Sequence, residues 1–145
     1  VLDLAGIDAE IVSVDIDDLV HPTVRTDPNI RFIHDSSTSP AVREALRETI
    51  ARRPGRIFAI VDSDHRAEHV YGELMLLREF LKPGDYLIVE DGNINGHPVL
   101  PDWGPGPYEA VERYEREFPD DYRRDREREE KFGFTFAPRG FLVRR

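Results

Sequence analysis

Ile57-Phe-Ala-Ile-Val-Asp-Ser-Asp-His65 and Tyr86-Leu-Ile-Val-Glu-Asp91 are two short apolar runs, each closing in carboxylates. Between them Val70, Leu74, Leu77 and Leu81 recur at helical spacing, a stripe that faces a sheet. Strand, helix, strand with near-continuous apolar strands is the signature of a βαβ crossover in a buried parallel sheet. In such sheets ligands bind beyond the carboxyl ends of the strands. Asp62, Asp64, Glu90 and Asp91 therefore share one edge. Carboxylates gathered there repel one another unless something positive sits among them, and a hard divalent cation is the simplest partner. A lone Asp at a strand end is more often a cap or a solvated residue; two acidic pairs on successive strands weigh against that. His65 directly follows Asp64 and belongs to the same edge, whereas His69 reads as a solvated residue near Glu73.

Upstream, residues 1–7 look like the end of a helix with Gly6 as its cap. Glu10–Val14 reads as a strand, followed by Asp15, and Ile30–Ile33 as another, ending at His34-Asp35-Ser36. An acid closing an early strand of a nucleotide-binding α/β fold commonly bonds ribose hydroxyls, which makes Asp15 a candidate; a solvated turn is the plain alternative. His21-Pro22 and Asp27-Pro28 mark loop. Ser39-Pro40 opens a helix carried by Val42, Ala45, Leu46 and Ile50.

Downstream, residues 92–107 form a loop rich in Gly and Pro, holding Asn95, His97 and the single Trp, Trp103. Long loops in compact domains are often binding loops or lids, so Asn95 and His97 are candidate polar contacts and Trp103 a candidate apolar wall. A folding role for the indole is the bland alternative. A helix follows from Pro107, then a charge-dense solvated stretch from Asp120 to Lys131. Phe134–Phe136 and Phe141–Val143, either side of a Gly-containing turn, read as a hairpin.

Composition narrows the classes. The chain of 145 residues is one domain's worth, 34% charged, with net charge −9. It lacks a basic footprint for nucleic acid, and an anionic membrane would repel it. The absence of cysteine removes disulfides, thiolate catalysis and cysteine-ligated metal. No run is long enough to span a membrane and no signal peptide is visible, so the expected location is cytoplasmic. The sequence opens at Val1 without a Met, as a fragment would.

Five stretches carry a resemblance: Val61–His65, Tyr86–Asp91, Asn93-Ile-Asn-Gly-His-Pro-Val99, Gly104-Pro-Gly-Pro-Tyr-Glu-Ala-Val111 and Asp125–Phe132. Together with the closing hairpin they resemble the cephalosporin hydroxylase/rhamnosyl O-methyltransferase family, from about Val12 onward. The resemblance implies an S-adenosylmethionine-dependent, magnesium-assisted O-methyltransferase acting on a hydroxyl of a sugar or small natural product. The implied fold is α/β, a Rossmann-like doubly wound sheet of the class I methyltransferase type, finished by an antiparallel hairpin. Carried over by position, the family's metal ligands fall on Asp64, Glu90 and Asp91. Metal-dependent O-methyltransferases as a class instead put the first ligand at Asp62, and a catalytic base at His65. Asp15 matches the cofactor's ribose acid, and Asp35-Ser36 the segment beside its adenine. The first strand and glycine-rich loop of that fold have no counterpart, the chain starting after them.

A catalytically impaired metal-binding or assembly module is therefore the alternative. An iron oxygenase is the weakest reading, because none of the 5 histidines has Asp or Glu two residues later. The expected partner is a small hydroxyl acceptor, with self-association left open.

Overall fold

The computed structural model describes Gly6 and residues 8–145; the helix end expected over residues 1–7 lies outside the described residues. The chain divides into two compact units, Val1–Arg52 and Arg53–Arg145.

In the first unit β1 (Ile11–Asp15) pairs in parallel with β2 (Ile30–His34), with Asp15 opposite His34. Parallel pairing brings both carboxyl ends to one edge, where the Asp35 N–H donates to the Asp15 carbonyl at 2.9 Å. Pro22–Thr26, expected as loop, makes one helical turn, α1, because His21 accepts the Thr23 N–H and Pro22 occupies the first turn. The helix from Ser39-Pro40 is α2 (Pro40–Arg52); Ser39 Oγ accepts the Val42 N–H at 3.2 Å, and Val42 and Ala45 are buried.

The second unit contains the βαβ motif. β3 (Phe58–Val61) and β4 (Tyr86–Val89) pair in parallel around α3 (Ala67–Arg78), with Val61 opposite Val89. Asp85, 2% exposed, locks the start of this pairing by accepting the Ile57 and Lys82 N–H groups. The sheet continues through β6 (Phe141–Arg144) to β5 (Tyr122–Arg124), both contacts antiparallel, in the order β3-β4-β6-β5. α4 (Pro107–Glu117) joins α3 over one sheet face, where Val61, Val70, Leu74, Leu87, Val89, Val111, Tyr114 and Leu142 form the core.

Two expectations change. The sheet does end in an antiparallel pair, but the partner of Phe141–Arg144 is Tyr122–Arg124, not Phe134–Phe136. Phe134 and Phe136 stay exposed and meet edge to face in the connection between the paired strands, which also holds the short helix α5 (Arg126–Glu130). The stretch Asp120–Lys131 is accordingly more than a solvated face. Nor is β3 buried on both sides: Val61 enters the core, whereas Phe58 and Ile60 are 61% and 56% exposed. Close approach explains Gly140, where an added Cβ would lie 2.0 Å from the Val89 carbonyl oxygen. No helix among the described residues is long and apolar enough to cross a membrane.

Candidate metal and acceptor site

The register of β3 and β4 sets the site. Glu90 N–H bonds the Val61 carbonyl at 2.9 Å, so Asp62 and Glu90 leave their strands side by side. The chain then turns sharply at Asp91, whose φ of 51° lies in the left-handed region that Asp tolerates. That turn aims the Asp91 carboxylate back at the end of β3. His65 Nε2 lies 3.2 Å from Asp91 Oδ2 and 3.6 Å from Asp62 Oδ1. One donor atom each from Asp62, His65 and Asp91 falls within a mutual 4.8 Å. Glu90 stands beside them: burial, then the charges of Asp62 and Asp91, hold its carboxyl above the usual range. The edge thus carries an excess of negative charge around a small focus, the setting that favours a hard cation with oxygen ligands.

Asp64 points elsewhere. Its Oδ1 accepts the Arg66 N–H at 3.2 Å, closing a local turn ahead of α3, and lies 3.3 Å from Arg66 Nε. The structure therefore gathers Asp62, His65 and Asp91, with Glu90 adjoining, and leaves Asp64 outside.

The 92–107 loop closes beside this focus. The Ala67 N–H donates to the Pro105 carbonyl at 3.0 Å, and a Cβ at Gly106 would sit 3.3 Å from the His65 carbonyl oxygen. Trp103 is half exposed, its ring 6.5 Å from that of His65. Asn95 and His97 are turned inward to Glu109: Asn95 Nδ2 donates at 2.8 Å, and His97 Nε2 lies 2.9 Å from the same oxygen. The other Glu109 oxygen accepts the Gly106 N–H at 2.7 Å, capping α4, and His97 stacks on Tyr108 at 3.7 Å. Burial pushes the Glu109 carboxyl up, but the hydrogen bonds from Gly106, His97 and Asn95 outweigh it and the net direction is down. Glu109 is the organiser of the loop, and sequence reasoning missed it. The signal was present, since a Glu three residues after Gly106 and at the start of a helix can supply the Glu half of a capping box.

In the first unit Asp15 is an exposed carboxylate at the end of β1, its Oδ1 taking the Asp17 N–H at 2.9 Å. Asp35 turns its Oδ1 onto the Ser36 N–H at 2.7 Å, and Ser36 Oγ meets Thr38 Oγ1 at 3.2 Å.

Comparison with known proteins gives this edge a context. A family model described as Rhamnosyl O-methyltransferase/CmcI matches residues 1–145. The chain is 58% identical over 123 residues to the rhamnosyl O-methyltransferase of Mycobacterium tuberculosis, covering 85% of itself and 50% of that relative. The rhamnosyl O-methyltransferase of Mycobacterium leprae is 54% identical over 136 residues, which is 94% of this chain and 59% of that relative. The chain thus spans about half the length of these curated relatives. Among solved structures it resembles the MycE methyltransferase of the mycinamycin pathway, determined with Mg and SAH. The TM-score is 0.51 at 18% identity, over 93% of this chain and 37% of that one. At such identity the likeness speaks to the fold alone, and the fold is that of a Rossmann-like methyltransferase. With the whole of its length matched, the chain belongs to the Rhamnosyl O-methyltransferase/CmcI family.

Proposed function

We propose that the protein to which this chain belongs transfers a methyl group from S-adenosylmethionine to a hydroxyl oxygen, with a magnesium ion held at Asp62, Glu90 and Asp91. The observation that carries this reading is the convergence of Asp62, His65 and Asp91 at the ends of adjacent parallel strands. Support comes from curated relatives named rhamnosyl O-methyltransferase and from MycE, solved in complex with Mg and SAH. A sugar hydroxyl is accordingly the preferred acceptor.

The residues fit such a cation. Asp62 and Asp91 bring hard carboxylate oxygens to one focus beside His65, and Glu90, whose carboxyl is held up by burial first and by the charges of Asp62 and Asp91 second, adjoins them. When bound, magnesium would orient the acceptor oxygen and lower its pKa. Magnesium prefers oxygen to imidazole, which leaves His65 Nε2 to take the hydroxyl proton. Asp91 and Asp62, 3.2 and 3.6 Å from that nitrogen, fix where the imidazole stands relative to the acceptor. Trp103 offers an apolar wall beside this base, and the Glu109-braced loop keeps that wall in place. At the carboxyl end of β1, Asp15 offers an exposed carboxylate of the type that bonds ribose hydroxyls. Asp35 and Ser36 follow on β2, where the adenine side of the cofactor would lie.

The test is transfer of a labelled methyl group from S-adenosylmethionine to a rhamnosyl acceptor by the full-length protein, with and without chelator. Transfer that chelator abolishes and magnesium restores is expected. Transfer indifferent to both would overturn the metal role, and no transfer to any hydroxyl acceptor the enzymatic one.

A further inference from the structure

Glu73 sits between Val70 and Leu74 among the buried residues of α3, its side chain 7% exposed. Packing alone would be met there by an apolar residue, since a buried carboxylate is costly unless it is well bonded. Its bond runs to the catalytic edge: Ser63 Oγ donates to Glu73 Oε1 at 2.7 Å, with His69 Nε2 3.9 Å from the same oxygen. Ser63 is the residue between Asp62 and Asp64, and its hydroxyl is committed to Glu73. Hydroxyl to carboxylate is among the stronger hydrogen bonds, and this one ties an exposed turn to a buried helix position.

We infer that Glu73 is a positioning residue, which through Ser63 fixes the 62–65 turn so that Asp62 and His65 meet Asp91 ahead of cation binding. The inference rests on the proposed metal site. Without the tether, the turn would sample conformations in which Asp62 swings into solvent, and a cation would have to order it on binding. Partners of this kind, one step behind the ligands, commonly set affinity rather than presence of a site.

The probe is manganese, titrated by electron paramagnetic resonance into the parent protein and the variants Ser63→Ala, Ser63→Thr, Glu73→Gln and Asp62→Asn. Ser63→Ala should weaken manganese binding about 10- to 100-fold. Ser63→Thr, which keeps the hydroxyl, should bind like the parent, and Glu73→Gln, which keeps an acceptor oxygen, should lose less than Ser63→Ala. Parent-like affinity in Ser63→Ala, with or without a lower melting temperature, would overturn the positioning role while leaving the metal site standing. A parent that binds no manganese, with Asp62→Asn indistinguishable from it, would overturn the metal site and this inference with it.

Discussion

Two aspartates only two positions apart, Asp62 and Asp64, meet different fates because of one neighbour. Arg66 holds Asp64 through its N–H and its guanidinium, so Asp62 is the one of the two that faces Asp91 and His65. If magnesium binds the folded chain, it should stabilise it by about 2.7 kcal/mol at a hundredfold excess over Kd. Thermal melts of Asp62→Asn should lose that increment, whereas Asp64→Asn should keep it. Retention of the increment in the first and loss in the second would reverse the assignment. At His65 the expected change is kinetic. On the proposed function, His65→Gln in the full-length protein should lower kcat by about a hundred- to ten-thousandfold while leaving magnesium-induced stabilisation intact. The acidic edge was legible in the sequence because strand periodicity places the four carboxylates and His65 together. Which aspartate faces inward was not legible, since a side chain's choice between a cation site and Arg66 Nε leaves no trace in spacing.

Among the elements, the loop and helix α4 act as one piece through Glu109. Glu109→Ala removes the acceptor of three donors at once, from Asn95, His97 and Gly106. The cost should be roughly 1–3 kcal/mol from the lost cap and the unsatisfied donors, read by urea titration. On the proposed function, the acceptor KM of the full-length protein should rise further than the cofactor Kd, because Trp103 rides on the loop. Equal effects on both would reduce Glu109 to a stabiliser of α4. The helices α2, α3 and α4 were readable from their apolar spacing, and Ser39 and Pro40 announced α2. β5 was not, because Tyr122-Arg123-Arg124 carries neither alternation nor an apolar run. Its strand character comes from pairing with Arg144 and Leu142, a contact made across the fold. Phe134 and Phe136 carried the stronger β signal and remained exposed.

At the scale of the molecule, Asp121 links three elements of the second unit. It accepts from Arg78 of α3 at 2.7 Å and Tyr114 of α4 at 2.7 Å, and pairs with Arg144 of β6 at 2.8 Å. Burial alone would raise its carboxyl, but the bonds from Arg144, Tyr114 and Arg78 bring it down from 3.8 to about 2. A depressed pKa contributes stability that is present above the unfolded value and lost as pH falls through the folded one. About 2 kcal/mol should therefore disappear between roughly pH 4 and pH 2. Asp121→Asn should be less stable at neutral pH and lack that loss; an unchanged acid profile would remove Asp121 as its cause. The fold class was readable from the order of elements alone. The cleft of about 340 Å³ between α4 and β5 was not, and it is lined by Tyr114, Phe118 and four arginines rather than by any carboxylate of the candidate site. Finally, the strand order β3-β4-β6-β5 sets a timetable for biosynthesis. β6, the latest of the four along the chain, lies between two earlier strands, and its leading Gly140 closes on Val89 just below Glu90 and Asp91. During translation β5 has no partner until residues 141–144 clear the ribosome, so this half of the protein must wait unfinished, its acidic edge unbraced, until β6 slots in.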